Sequence, residues 1–219
     1  MTQVYLVIGA PFVAAVIGLL GGRVRPRIVV PLAVTGATLS LLAALVMAGR
    51  AITTDGLLER SSLDSVSIGG GLTIGLDLRL DGLAALVSVA VAVVALAVQV
   101  YSTAYLKGDP RYSSYAAFVS LFTAAMMLVV FADDLFVLLV GWEVMGVCSY
   151  FLIGHHWEQE DARAGAVKAF VVTRLGDVGF LFGIFAVGQA YGTFSIQRIV
   201  SAAAHGERSG VTITVATLL

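Results

Sequence analysis

The sequence has little charge, one cysteine and no excess of either sign, and each shortage closes off a class of protein. Only 12% of its 219 residues are charged, against about 25% in a soluble domain. The 13 Lys and Arg nearly balance the 14 Asp and Glu, for a net charge of −1. No basic surface therefore points to nucleic acid as a partner. Cys148 is the single cysteine, which excludes a disulfide scaffold and a CxxC cluster for an iron–sulfur centre. The chain holds neither a GK[ST] phosphate loop nor an HExxH pair, so nucleotide and zincin chemistry lack their signatures. No repeat of the length that builds a solenoid is present. No Lys or Arg precedes the first apolar run, so the charged start of a cleavable secretory signal is missing.

Apolar residues are what the chain has in quantity: 59% of the total, with a mean hydropathy of +0.97. A protein of this size lacks the interior to hide so many, and disorder needs the opposite composition. The surface must face lipid, and the fold class expected is an all-α polytopic membrane protein. A spanning helix needs about 20 mostly apolar residues. Six runs qualify: Val4–Leu20, Ile28–Met47, Leu83–Tyr105, Tyr115–Phe131, Leu135–His155 and Ala164–Ala190. A seventh run opens at Val211 and stops at Leu219. Nine residues of helix rise only about 14 Å, so this run is expected to be a partial seventh span in a fragment of a longer protein.

Basic residues set the expected orientation. Arg23, Arg25, Arg27, Lys107, Arg111, Arg163 and Lys168 crowd the short links on one side; Arg50, Arg60, Arg79, Arg198 and Arg208 are spread over longer loops on the other. The first set is expected inside, which puts the N-terminus outside a plasma membrane. In the long outer loop, Leu72, Ile74, Leu76, Leu78 and Leu80 alternate with polar residues or glycine behind a Gly69–Gly71 break. Period two predicts a strand with one buried face, and with Leu63, Val66 and Ile68 a β-hairpin over 63–80; an extended capping loop is the other reading. Three regions are expected: 1–60 with the first two spans, 61–114 with the hairpin and third span, and 115–219 as the start of a translocation domain. Asp134 is expected to cap the fifth helix. Gly179/Gly183 and Gly188/Gly192 are small-residue pairs that permit close helix approach.

Ionisable residues inside spans are costly and mark partners, water paths or both. Three stand out: Glu143 in the fifth span, and Arg174 and Asp177 in the sixth. The fifth and sixth spans are joined by a short link and are expected to be antiparallel neighbours. Measured from that link, Glu143 lies about 18 Å down its helix, Arg174 about 15 Å and Asp177 about 20 Å down theirs. The spacing permits an acid–base–acid cluster at mid-membrane. Arg174 and Asp177, three residues apart, share a face; they either neutralise each other as a structural pair or set a field for transport. Glu143 has no basic residue on its own helix, and a carboxylate buried without a cation takes up a proton readily, as a relay requires. Lys168, near the start of the sixth span, either snorkels to the interface or receives entering protons. His155 and His156 are adjacent and point about 100° apart on a helix, a poor metal pair, so they are expected to be interfacial. Cys148 is expected to pack.

The run Gly141-Trp142-Glu143-x-x-Gly146-x-Cys148-Ser149-Tyr150-x-Leu152-Ile153-Gly154 resembles the antiporter-like chain 5 family of respiratory complex I, NADH-quinone oxidoreductase. So do Tyr101-Ser102-x-x-Tyr105-x-x-Gly108-Asp109-x-Arg111-Tyr112, the stretch Lys168-Ala169-Phe170-Val171-Val172-Thr173-Arg174-Leu175-Gly176-Asp177, and Gly75-x-Asp77 followed by Leu80-Asp81-Gly82-Leu83. The resemblance implies a subunit that translocates protons while quinone is reduced elsewhere, with Glu143 in the place of the family's fifth-helix glutamate; Lys168 for proton entry and Arg174 and Asp177 for setting the field are the further candidates, read from their places in the sixth span. It implies no cofactor in this chain; quinone, FMN and iron–sulfur clusters belong to partner subunits. It implies other complex I membrane subunits, the bilayer and protons as partners, and no nucleic acid. The wider family includes the large subunit of multisubunit sodium/proton antiporters, the alternative identity. The lysine that pairs with the glutamate in the family lies beyond Leu219, so the chain is expected to be about the N-terminal third of the subunit and not to pump alone.

Overall fold

A computed structural model describes residues 1–22, 26–53, 59–69 and 72–205, with side chains omitted at 26–27, 63–69 and 72–74. The Val211–Leu219 run and its expected partial seventh span lie outside the described residues. Six helices are long and apolar enough to cross a membrane: α1 (Thr2–Gly21), α2 (Pro26–Thr53), α3 (Gly82–Tyr105), α4 (Tyr112–Phe131), α5 (Leu135–Ile153) and α6 (Glu160–Tyr191). They are helices because lipid offers backbone amides no partner, and a helix satisfies them internally. Pro11 and Pro31 sit inside α1 and α2; packing against neighbours makes such prolines tolerable in a bilayer.

The helices pack through small residues. Ala14, Ala15 and Gly18 of α1 are buried. A Cβ at Gly18 would stand 2.8 Å from that of Ala117 on α4 and 3.0 Å from Val29 on α2. Gly141 of α5 lies as tightly against Ala125 and Val129 of α4. Inside the bundle, Gln99 of α3 donates to the Ala116 carbonyl and to Ser120 Oγ of α4, both at 3.0 Å. Leu6, Phe12, Leu86, Val94, Leu175 and Phe182 are among the apolar side chains left on the outside, a surface suited to lipid or to further helices and not to water.

The expected hairpin is present. Strands β1 (Glu59–Gly69) and β2 (Leu72–Leu80) pair antiparallel on the side of the N-terminus. Among the described side chains the expected buried face is realised in part. Leu78 and Leu80 are buried, but Leu76 is 52% exposed. The end of β2 packs on the bundle beside Ala132, and the alternation outlasts that surface at Leu76. Arg60 and Arg79 face each other across the strands, and each is neutralised by a carboxylate: Arg60 by Asp133 at 2.5 Å and Arg79 by Asp81 at 3.1 Å.

The hairpin is tied down by main-chain bonds. Asp133 donates its N–H to the Asp77 carbonyl, Leu135 to Phe194 and Ile196 to Asp133, at 2.9, 3.0 and 2.9 Å. The α4–α5 link therefore lies between β2 and the α6–α7 link like an extra strand. Asp134 caps α5 as expected, accepting from the Phe136 N–H at 2.8 Å, and also from Gly75 of β2 at 3.3 Å. Gly192 has φ +66 and ends α6 in the left-handed region; it is a helix stop, not the approach site its spacing from Gly188 suggested. Gly188 does permit close approach, since a Cβ there would overlap the buried ring of Phe194. The amphipathic helix α7 (Ile196–Ala204) was not expected. At about 14 Å it cannot cross a bilayer.

Burial outweighs the backbone donors around Asp134 and lifts its carboxyl above the ordinary aspartate range. The folded chain thus binds that proton more readily than the unfolded chain, and this contribution to stability grows as pH falls. Asp134→Ala is expected to cost about 1 kcal/mol through the lost cap. Asp134→Asn still caps and removes a buried charge, so it is expected to match or exceed the parent at neutral pH, with the advantage shrinking in mild acid. Thermal unfolding in detergent at the two pH values checks both. Gly188→Ala is expected to cost about 1–3 kcal/mol by overpacking against Phe194, read in the same assay.

Candidate functional site: a charged cluster between α5 and α6

The three membrane-embedded charges meet. Arg174 forms an ion pair with the Glu143 carboxylate across the α5–α6 contact. Its Nη2 donates to the Glu143 main-chain carbonyl at 3.2 Å, so one guanidinium holds both ends of the same residue. Its Nη1 lies 3.5 Å from Asp177 Oδ2, one turn along α6. Trp142 Nε1 donates to the other Asp177 oxygen at 2.8 Å. The guanidinium carbon sits 4.9 Å from the Phe170 ring centre, a cation–π contact favoured away from water. Two acids and one base, all ionised, carry a net charge of −1.

Local sequence explains the fit. Gly146 follows Glu143 by three residues and lies on the same face of α5; a Cβ there would overlap the Arg174 guanidinium. Phe170 and Asp177 flank Arg174 at i−4 and i+3 on α6, both within one turn of it. Arg174 Nε is buried and has no partner among the described residues. Side-chain exposure is 37% for Glu143, 24% for Arg174 and 13% for Asp177.

This arrangement corrects one expectation and leaves another unmet. Glu143 does have a cation beside it, supplied by the neighbouring helix, so the argument from an unpaired carboxylate does not hold. Lys168 does not join the cluster. It is exposed, six residues before Arg174, which places it about 240° round the helix and 9 Å along it. It lines an open groove with Glu160, Arg163 and Val167. Trp142, Gly146 and Phe170 were not anticipated as site residues. The Trp142–Glu143 pair stood inside the motif already quoted, but nothing in its spacing shows that the indole reaches Asp177. Cys148 is free and fully buried, as packing requires.

Two sequence profiles match the chain. "NADH-Ubiquinone oxidoreductase (complex I), chain 5 N-terminus" matches residues 66–116. "NADH:quinone oxidoreductase/Mrp antiporter, TM" matches residues 132–219 and so includes the whole cluster. The chain belongs to this family. Within it, NADH-quinone oxidoreductase subunit L of Escherichia coli strain K12 is 39% identical over 134 residues, covering 61% of this chain and 22% of the relative. Subunit L of Mycobacterium tuberculosis strain CDC 1551 / Oshkosh is 33% identical over 217 residues, covering 95% of this chain and 33% of the relative. The chain thus spans about a fifth to a third of the length of these relatives. The fold recurs in a chain of the membrane-bound sulfane sulfur reductase, an archaeal respiratory membrane complex. There the TM-score is 0.83 at 20% identity, over 99% of this chain and 42% of that one. Family members of this kind are membrane subunits of multisubunit respiratory complexes, and the present chain is an antiporter-like member with several membrane-crossing helices.

Removing one partner of the pair is expected to cost more than removing both. Arg174→Gln leaves Glu143 without its cation inside the span, at about 3 kcal/mol for a charge at helix centre. Glu143→Gln with Arg174→Gln is expected to restore about 1–3 kcal/mol of that loss. A double-mutant cycle by thermal unfolding in detergent measures the coupling.

Proposed function

We propose that this chain is part of a membrane subunit of NADH-quinone oxidoreductase that translocates protons, coupled to quinone reduction in other subunits. The observation that carries this reading is the shared guanidinium of Arg174, held between two carboxylates at mid-membrane. When Glu143 takes a proton, Arg174 loses one anion and retains Asp177 at 3.5 Å, whose second oxygen Trp142 already holds. When Glu143 releases the proton, the guanidinium is drawn back. Arg174 and Asp177 thus set the field in which Glu143 loads and unloads. A unit charge arriving 6–7 Å away, in a neighbouring unit, changes the loading energy by roughly 2–3 kcal/mol at an effective dielectric near 20. That is on the order of a hundredfold in proton affinity, enough to switch between the two states.

In this reading the hairpin and the N-terminus face outward. The opposite rim carries the denser basic residues, and Lys168 stands on that side as the entry point for protons. Flavin, iron–sulfur and quinone chemistry sits in the partner subunits. Glu143→Gln in the complete complex is expected to abolish proton translocation through this subunit and lower the coupled activity. Vesicle acidification by intact pumping in that variant would falsify the role of Glu143.

A second reading is the large subunit of a multisubunit sodium/proton antiporter, because the profile over 132–219 describes both groups. Proton exchange that depends on sodium and continues without quinone would favour it. A purely structural cluster is distinguished by joint neutralisation of Arg174 and Asp177, which would then leave transport intact.

A further inference from the structure

The rim opposite the hairpin brings together three metal-ligating side chains that the transport cluster does not use. Asp109 lies in the link between α3 and α4; His155 and His156 lie in the 3-10 turn Gly154–His156 that follows α5. Asp109 Oδ2 is 3.0 Å from His155 Nε2. One ligand atom from each of the three residues lies within 4.8 Å of the other two. Sequence spacing alone argued against the adjacent histidines as a pair, and the third donor, 46 positions from His155, is what changes that.

We propose that Asp109, His155 and His156 form a site for a borderline transition-metal ion of the Zn²⁺ class. Ligand atoms about 2.0–2.1 Å from a tetrahedral zinc lie about 3.3 Å from one another. The Asp109–His155 pair is already near that spacing, and the His156 nitrogen lies within 4.8 Å of both. Imidazole and carboxylate suit this class of ion better than magnesium or calcium, which prefer oxygen alone.

The supporting contacts are in place. The other Asp109 oxygen, Oδ1, accepts the Arg111 N–H at 2.7 Å, which turns Oδ2 towards His155. The His155 ring packs edge-on against Tyr115 at 5.4 Å. Such outer contacts fix ligand orientation in metal sites. Arg111 stands beside the site, with Nε 4.0 Å from Oδ1. Its guanidinium is taken up by Glu158 at 2.6 Å. With neutral histidines the group carries a net charge of −1, which favours a cation. Three protein ligands leave a fourth position for water, and a bound ion would clasp the α3–α4 link to the α5–α6 link.

The test is Zn²⁺ uptake by the full chain in phosphatidylcholine vesicles, without an oligohistidine tag, with Co²⁺ as the spectroscopic substitute. One Zn²⁺ per chain is expected, displacing Co²⁺ and its visible absorption. His156→Gln keeps the Asp109–His155 bond and is expected to weaken uptake at least about tenfold, as is His155→Gln. His205→Gln and Cys148→Ser, at the chain's other histidine and its cysteine, are expected to leave uptake unchanged. Absence of saturable uptake, or uptake unaltered by His156→Gln, overturns the proposal.

Discussion

An arginine inside hydrocarbon must keep an anion within reach, because neither water nor lipid tails can stabilise its charge. Arg174 meets that need across a helix boundary. Its partner Glu143 is on α5, its second acid Asp177 is on its own helix, and the space for the guanidinium exists because residue 146 has no side chain. The rotation of α6 about its axis and its height against α5 must both satisfy this contact. If either changed by a turn, a charge would be left facing lipid. The same contact is the one on which the proposed proton relay rests, since it places one base between two acids.

The cap on the hairpin side is the second organising feature, and it works by main-chain bonding. The link between α4 and α5 is short and carries two buried aspartates, Asp133 and Asp134. The backbone of Asp133 bonds to β2 on one side and to the α6–α7 link on the other, while the two carboxylates hold Arg60 and cap α5. A hairpin of two strands is marginal alone. Here it is one part of a layer that joins the outer ends of α4, α5 and α6. That layer holds the upper end of the α5–α6 pair in place, so the fold outside the membrane supports the charge contact within it.

Much of this was legible residue by residue. The alternation ending at Leu80 marks a strand, and Asp134 marks a helix start, because both signals are local. The matching depths of Glu143, Arg174 and Asp177 follow from the fixed rise of a helix. Other features were hidden for physical reasons. Alternation in β2 continues past the bundle, so Leu76 looks like its buried neighbours and is not. The helix α7 is nine residues long, too short for its period to stand out. Asp109 and His155 meet only because two separate links fold over the same rim.

Sequence alone determined that the chain is a set of membrane-crossing helices with three charges at mid-depth, since composition and length decide what lipid accepts. Tertiary structure alone decided which charges touch. Helix α5 is apolar on nearly every side, so its own residues carry no signal of which face turns inward. Only packing against α4, through Gly141, and against α6, through Gly146 and Arg174, sets that rotation and brings the base to Glu143.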